Sequence, residues 1–304
     1  MLKRFAKSKL LGDGSAGEVR LVRNKIGGYN AVKYFYDEEE CQDEIQAIRL
    51  LRKKGLSVTQ FSIGTSYLLS KLHLVVDYQG PALTQWLEKR NPVVWTGKDL
   101  GFTVEDTTLL ANQVFAAAHQ LCAAGLIHGD IRPANICSKD GKHWVLIDFG
   151  LVDELRPGSP PYIRSFIGPS GIRAPENQFG YESVITSKTE VFMAGMTLWQ
   201  ALNGLAFTPE SVRHLSRLGR LRVQPTGLGR LPHLPHVDSE EDSSVYEDKV
   251  DEYAATYHHQ FHEPFFAAFL HGSLAYPETL PLVGRIKACL ADNPEDRPTA
   301  KELL

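Results

Sequence analysis

His128, Gly129 and Asp130 open a short run that continues Ile131-Arg132-Pro133-Ala134-Asn135, and a second acid follows in Ile147-Asp148-Phe149-Gly150. Between them, Ile136-Cys137 and residues 144–147 flank Lys139-Asp140-Gly141-Lys142, where Asp-Gly signals a hairpin turn. A hairpin returns the chain on itself and brings Asn135 and Asp148 together. Two oxygen ligands at one point suit Mg²⁺, which takes few carboxylates and completes its shell with phosphate oxygens and water. Asp130, on the same loop as Asn135, is then placed to meet a substrate hydroxyl. Each aspartate alone reads as a turn or cap residue. The set, with its spacing, does not.

A second constellation lies near the N-terminus. Gly12-Asp13-Gly14-Ser15-Ala16-Gly17-Glu18-Val19 is a G-x-G-x-x-G-x-V run between two strand-like segments. Glycines there let the backbone approach a polyphosphate, and exposed N–H groups can cradle it. A dinucleotide fold requires a helix directly after the glycines, but Glu18-Val19-Arg20-Leu21-Val22 reads as strand. Lys33, in Ala31-Val32-Lys33, sits in an alternating strand and can hold phosphates as a point charge. Buried, it needs a carboxylate. Glu44 falls on the helical face of Cys41 and Ile48, which aims it inward, while Glu38, Glu39, Glu40 and Asp43 are rival partners.

These residues have to be carried by two kinds of scaffold. Residues 9–14, 18–23, 30–36 and two short runs within 65–78 read as strands. Residues 38–54 carry Cys41, Ile45, Ile48 and Leu51 at helical spacing. From about Pro81 the pattern turns helical. Residues 104–124 place Leu110, Val114, Ala117, Ala118 and Leu121 on one face, with Gly125 as a stop. Ser187-Lys188-Thr189-Glu190 matches a capping box, and an apolar helix follows to about Asn203. Residues 208–263 resist assignment, mixing Pro, Gly, His and an acidic patch. His258, His259 and His262 cluster there, but a metal site requires further ligands, and the plain reading is exposed helix histidines.

Composition narrows the function classes. The 304 residues are 43% apolar and 23% charged, enough to bury a sizeable core. A net charge of −3 lacks the basic excess of a nucleic-acid binder. The four cysteines lie far apart, suggesting neither zinc site nor disulfide framework. No apolar run approaches the length of a membrane span, and no signal segment opens the chain. The expectation is an intracellular protein, cytoplasmic or nuclear, with no nucleic-acid partner. The oligomeric state is left open.

As a set, these motifs resemble the eukaryotic-type protein kinases. The order runs from the glycine loop through Ala31-Val32-Lys33 and Glu44 to His128-Gly129-Asp130, Asn135 and Asp148-Phe149-Gly150, then Ala174-Pro175-Glu176 and Arg297-Pro298. The resemblance implies an α+β bilobal fold, with a β-rich N-lobe over residues 1–79 and a mainly helical C-lobe over 80–304. It implies ATP and Mg²⁺ as cofactors and transfer of the γ-phosphoryl to a protein hydroxyl, Ser/Thr in class. Lys33 would hold the α/β-phosphates and pair with Glu44, Asp148 and Asn135 would bind Mg²⁺, and Asp130 would be the catalytic base. Gly12, Asp13, Gly14, Ser15, Ala16, Gly17 and Val19 would cover the nucleotide. Ala31 and Val76, the latter at the gatekeeper place, would belong to the cofactor site, with backbone groups of Asp77, Tyr78 and Gln79 bonding the adenine. Glu176 would pair with Arg297.

The departures bear on regulation and substrate. Gly129 replaces the usual arginine that reads activation-segment phosphate. Arg132 stands where Ser/Thr kinases carry lysine, keeping the charge but not the geometry. Pro169 takes a threonine position, and Glu190 replaces an aspartate that braces the catalytic loop, although the third position of the capping box accounts for it equally. Two other readings stand beside the kinase: a nucleotide-binding pseudokinase-like scaffold, and a small-molecule phosphotransferase. Nothing catalytic is missing, which opposes the first, and the Ala174-Pro175-Glu176 segment opposes the second.

Overall fold

The computed structural model describes residues 8–14, 16–24, 26–56, 67–70, 73–90, 102–155, 162–164, 174–177, 183–203, 280–291 and 293–304. Ser15 of the glycine run, Pro169 and the 208–263 stretch with its three histidines lie outside them.

Five strands form one antiparallel sheet: β1 (Lys9–Gly14), β2 (Gly17–Arg23), β3 (Tyr29–Phe35), β4 (Tyr67–Ser70) and β5 (His73–Asp77), in the order β1-β2-β3-β5-β4. Register decides which side chains share a face. Lys33 lies opposite Val19 and Leu74, and Ala31 lies opposite Leu21 and Val76. Cross-strand partners point the same way and residues alternate. Val19, Ala31, Lys33, Leu74 and Val76 therefore share the face that roofs the cleft described below.

Helix α1 (Glu38–Lys53) starts where its sequence says it should. Asp37 caps it, accepting from the Glu39 N–H at 2.6 Å, and Glu38, Glu39 and Glu40 fill the first turn. Carboxylates are favoured at that end of the helix dipole, which is why these acids stay at the helix start. The buried stripe is Cys41, Glu44, Ile45, Ala47, Ile48 and Leu51. One carboxylate on an otherwise apolar stripe demands a partner, and it has one.

The second lobe is helical: α2 (Leu83–Arg90), α3 (Val104–Ala123), α4 (Ser187–Asn203) and α5 (Pro281–Cys289). Between α3 and α4 lie short antiparallel pairs. β6 (Leu126–Ile127) pairs with β9 (Asp153–Glu154), β7 (Ile136–Cys137) with β8 (Val145–Leu146), and β10 (Tyr162–Arg164) with β11 (Ser183–Ile185). Helix α4 is buried on nearly every side, from Thr189 through Leu202. A helix apolar all round belongs at the centre of a lobe, and α4 packs there against α3 and α5. The assembly is α+β and bilobal.

The start of α4 corrects the expected cap. Thr186, not Ser187, caps the helix: the Lys188 N–H donates to Thr186 Oγ1 and the Thr186 N–H donates to Thr189 Oγ1, both at 3.1 Å. Threonine at the third position replaces the Glu of a Ser187–Glu190 box, and Glu190 is freed to turn inward.

Candidate active site

Lys33 is the point where the two lobes meet. Its ammonium lies 2.7 Å from Glu44 Oε2 and 2.8 Å from Asp148 Oδ1. Of the rival acids on α1, geometry selects Glu44. Burial pulls the Lys33 ammonium toward neutrality, but the two carboxylates outweigh it and hold the group above its usual range. Glu44 is raised by burial against the attraction of Lys33. Asp148, which burial alone would raise, is held below the usual carboxylate range by Lys33. Asp148 also sits at φ 64°, a left-handed backbone uncommon for a side-chain-bearing residue and found most often where function requires it.

The catalytic-loop candidates form a second knot. Asp130 Oδ2 accepts from Asn135 Nδ2 at 2.7 Å and from Arg132 Nε at 2.9 Å. Its other oxygen, Oδ1, is buried with no partner among the described residues. Burial raises the Asp130 carboxyl, and Arg132 opposes the rise. Asn135 Nδ2 donates as well to the Asp130 carbonyl at 3.0 Å. With the amide nitrogen so occupied, Asn135 Oδ1 is left as the end that can ligate. The hairpin does return the chain: the Ile147 N–H donates to Asn135 O at 2.9 Å, and Asn135 and Asp148 line the same cleft.

Beneath this loop lies the residue the sequence left undecided. Glu190 on α4 accepts the His128 N–H at 3.0 Å through Oε2 and the Gly129 N–H at 2.7 Å through Oε1. It is wholly buried, and burial pushes its carboxyl up to about 7 against those two donors. His128 is a neutral spacer. Burial pulls it down to about 4, its Nδ1 accepts from the Asp130 N–H, and its Nε2 faces the Ile147 carbonyl. That arrangement fixes the tautomer with the proton on Nε2.

Gly129 has φ 80°, and a Cβ there would lie 2.6 Å from the Leu151 carbonyl oxygen. Glycine is what this backbone accepts. Farther out, Arg297 forks onto Glu176, with two bonds of 2.7 Å, and stacks over Phe192.

Between the lobes lies an open cleft of about 940 Å³, the solvent at its mouth included. Gly12, Val19, Ala31, Lys33, Glu44, Val76, Asp77, Gln79, Asn135 and Asp148 all line it. Asp13, Gly14, Ala16 and Gly17 do not. Gly17 has a packing reason instead, since a Cβ there would run into the Tyr34 carbonyl of the adjacent strand. The residues missed are mostly apolar walls, among them Leu11, Leu74, Ala134, Cys137 and Ile147, with Gln85 a polar one. Leu74 is two residues from Val76 on one strand, so period-two counting from Val76 would have found it.

The cleft can take a polyphosphate nucleotide: apolar walls at one end, and one cation flanked by acids at the other. Among the described residues no cluster of three or more His, Cys, Asp or Glu forms a metal cage. The donor set of one carboxylate and one amide oxygen nonetheless fits Mg²⁺, whose remaining ligands come from phosphate and water. The Asp148 side chain is 37% exposed, so ligands can reach it. No helix among the described residues is long and apolar enough to cross a membrane.

Comparison with known proteins gives the same answer. Human ribosomal protein S6 kinase alpha-4 is 27% identical over 236 residues, covering 70% of this chain and 28% of that protein. Human serine/threonine-protein kinase STK11 is 24% identical over 220 residues, 67% of this chain and 48% of that protein. Mouse dual specificity protein kinase TTK is 26% identical over 180 residues, 55% of this chain and 19% of that protein. The chain thus spans under half the length of these relatives. The profile of the family described as protein kinase domain matches residues 5–304. With the lysine between two acids, the loop aspartate and the two-lobed fold all in that family's order, the chain belongs to the protein kinases.

Proposed function

We propose that this chain transfers the γ-phosphoryl of ATP to a protein hydroxyl, with serine or threonine as the acceptor. The observation that carries the reading is the Asp130 carboxylate. One oxygen is fixed by Asn135 and Arg132, and the other is buried with no partner among the described residues. A buried acceptor without a donor is costly. An incoming hydroxyl is the donor it lacks.

In this mechanism Lys33 holds the α/β-phosphates as a point charge, with Glu44 keeping it in place. Asp148 and Asn135 would hold Mg²⁺, which neutralises developing charge on the phosphates. Arg132 and Asn135 fix the Asp130 carboxylate, and Asp130 Oδ1 orients the acceptor hydroxyl and takes its proton. A bond forms from the acceptor's hydroxyl oxygen to the γ-phosphorus as the bond from that phosphorus to the bridging oxygen breaks, and ADP leaves. Val76 and the backbone of Asp77, Tyr78 and Gln79 seat the adenine. Pro133 beside Arg132 supports Ser/Thr acceptors, as does the likeness to serine/threonine-protein kinase STK11, while the likeness to TTK, a dual specificity kinase, does not separate the classes.

Two aspartates with different jobs give the test. Asp148→Asn should weaken both MgATP binding and turnover. Asp130→Asn should leave MgATP affinity near wild type while turnover on peptides falls by about 10²–10⁴. Calorimetry with MgATP beside a peptide-array assay reads both. Wild type that binds MgATP yet transfers no faster than Asp130→Asn on any peptide or protein would make the chain a scaffold.

A further inference from the structure

Two acids face each other at the glycine-rich turn. Asp13 and Glu18 are direct cross-strand partners in the β1–β2 pair, an arrangement that destabilises the pair unless each charge is satisfied elsewhere. Glu18 is gripped by Arg20, with bonds of 2.7 and 2.9 Å. Among the described residues Asp13 has no cation. Its Oδ1 instead accepts the Tyr36 hydroxyl at 2.8 Å.

Tyr36 follows β3 directly and touches both arms of the turn, since its backbone N–H donates to the Ala16 carbonyl at 3.1 Å. Its side chain is 64% exposed, so packing contributes little to holding the ring where it is. The bond to Asp13 raises the Tyr36 phenol above its usual range, which already lies well above neutral, so the hydroxyl is a donor at neutral pH with or without the shift. Gly17 lies opposite Phe35 and Val19 opposite Lys33, so the turn stands at the Lys33 end of the sheet. Gly12 lines the cleft there and Asp13 does not.

We propose that Tyr36 is a positioning residue for nucleotide phosphates: the register sets Asp13 on the face away from the cleft, and the Tyr36 hydroxyl keeps it there by tying Asp13, and the glycine-rich turn that carries it, to the end of β3. Released from Tyr36, the turn can swing and carry the Asp13 charge toward a bound polyphosphate. The inference rests on the ATP reading above, and its consequences are specific to charge. Loss of the hydroxyl weakens binding of the charged nucleotide and spares the uncharged nucleoside.

The experiment is calorimetry of MgATP and of adenosine on wild type, Tyr36→Phe and the Tyr36→Phe/Asp13→Asn double variant, with kcat and KM measured beside it. Tyr36→Phe should lose about three- to tenfold in MgATP affinity, the scale of one hydrogen bond. Its adenosine affinity and kcat should stay put while KM for ATP rises. The double variant should regain MgATP affinity, because the stray charge is gone. Equal MgATP binding by Tyr36→Phe and wild type overturns the proposal, as does an equal loss for adenosine or a double variant as weak as the single. Wild type that binds adenosine but not MgATP overturns the ATP reading itself, and the role of Tyr36 with it.

Discussion

Two buried side chains under the catalytic loop titrate in opposite senses. Glu190 is pushed up to about 7 by burial, from 4.5 in the unfolded chain. The folded state therefore keeps a proton the unfolded state has lost, so this group's stabilising contribution is full below pH 4.5 and is lost as pH rises to about 7. His128 is pulled down to about 4 from 6.5, so its contribution is lost as pH falls through that interval. The two slopes oppose each other between 4.5 and 6.5. Glu190→Gln, fixed in the uncharged state, should gain stability relative to wild type across pH 4.5 to 7, read by urea unfolding. Its turnover at pH 8 should drop roughly tenfold, since the amide can accept only one of the His128 and Gly129 N–H groups and about 1.4 kcal/mol of loop positioning is a factor of ten. A constant stability difference over that range would refute the assignment. The sequence was most legible here for the candidate site residues: the Glu44, Asn135 and Asp148 placements at the cleft follow from periodicity and one turn signal. Glu190 was ambiguous because its partners are backbone N–H groups, which carry no side-chain signature.

Among elements, α4 shows where local reading stops. Its extent was legible from a capping pattern and an apolar run, but Thr186 and Ser187 lie side by side as cap candidates and only the fold chooses Thr186. The same helix start anchors the distant chain terminus. Thr189 donates to Glu176 Oε1, Lys188 donates to the Arg297 carbonyl, and Arg297 forks onto Glu176. Removing one member of a buried pair strands the other, at a cost of about 3–5 kcal/mol. Arg297→Ala should destabilise the protein on that scale in denaturant unfolding. Glu176→Gln, which keeps a carbonyl acceptor, should cost less, and the double variant less than the sum of the two. Strict additivity would mean that the pair is not coupled. The sheet was legible nearly strand by strand because alternation survives on a half-exposed sheet. The short pairs β6–β9 and β10–β11 were not, since two or three residues are too few to show a period.

For the whole molecule, the absent cation at Gly129 sets an expectation about regulation. Arginine there can order an activation segment by bonding its phosphate, and glycine offers nothing to bond. Ser159, Ser165 and Ser170 lie outside the described residues, as do the Tyr162 side chain and Arg173. Phosphatase-treated protein should keep its turnover on peptide substrate within about twofold, a difference of about 0.4 kcal/mol in barrier. Loss of nearly all activity would point to another reader. Glycine at 129 is also a one-way door for anyone redesigning the enzyme. Its φ of 80° and the Leu151 carbonyl 2.6 Å from a would-be Cβ mean that installing arginine cannot be a single exchange. Leu151 would have to retreat, and it follows Asp148-Phe149-Gly150 directly in the chain. A phosphate-gated version of this protein would need a rebuilt loop before it could use the gate.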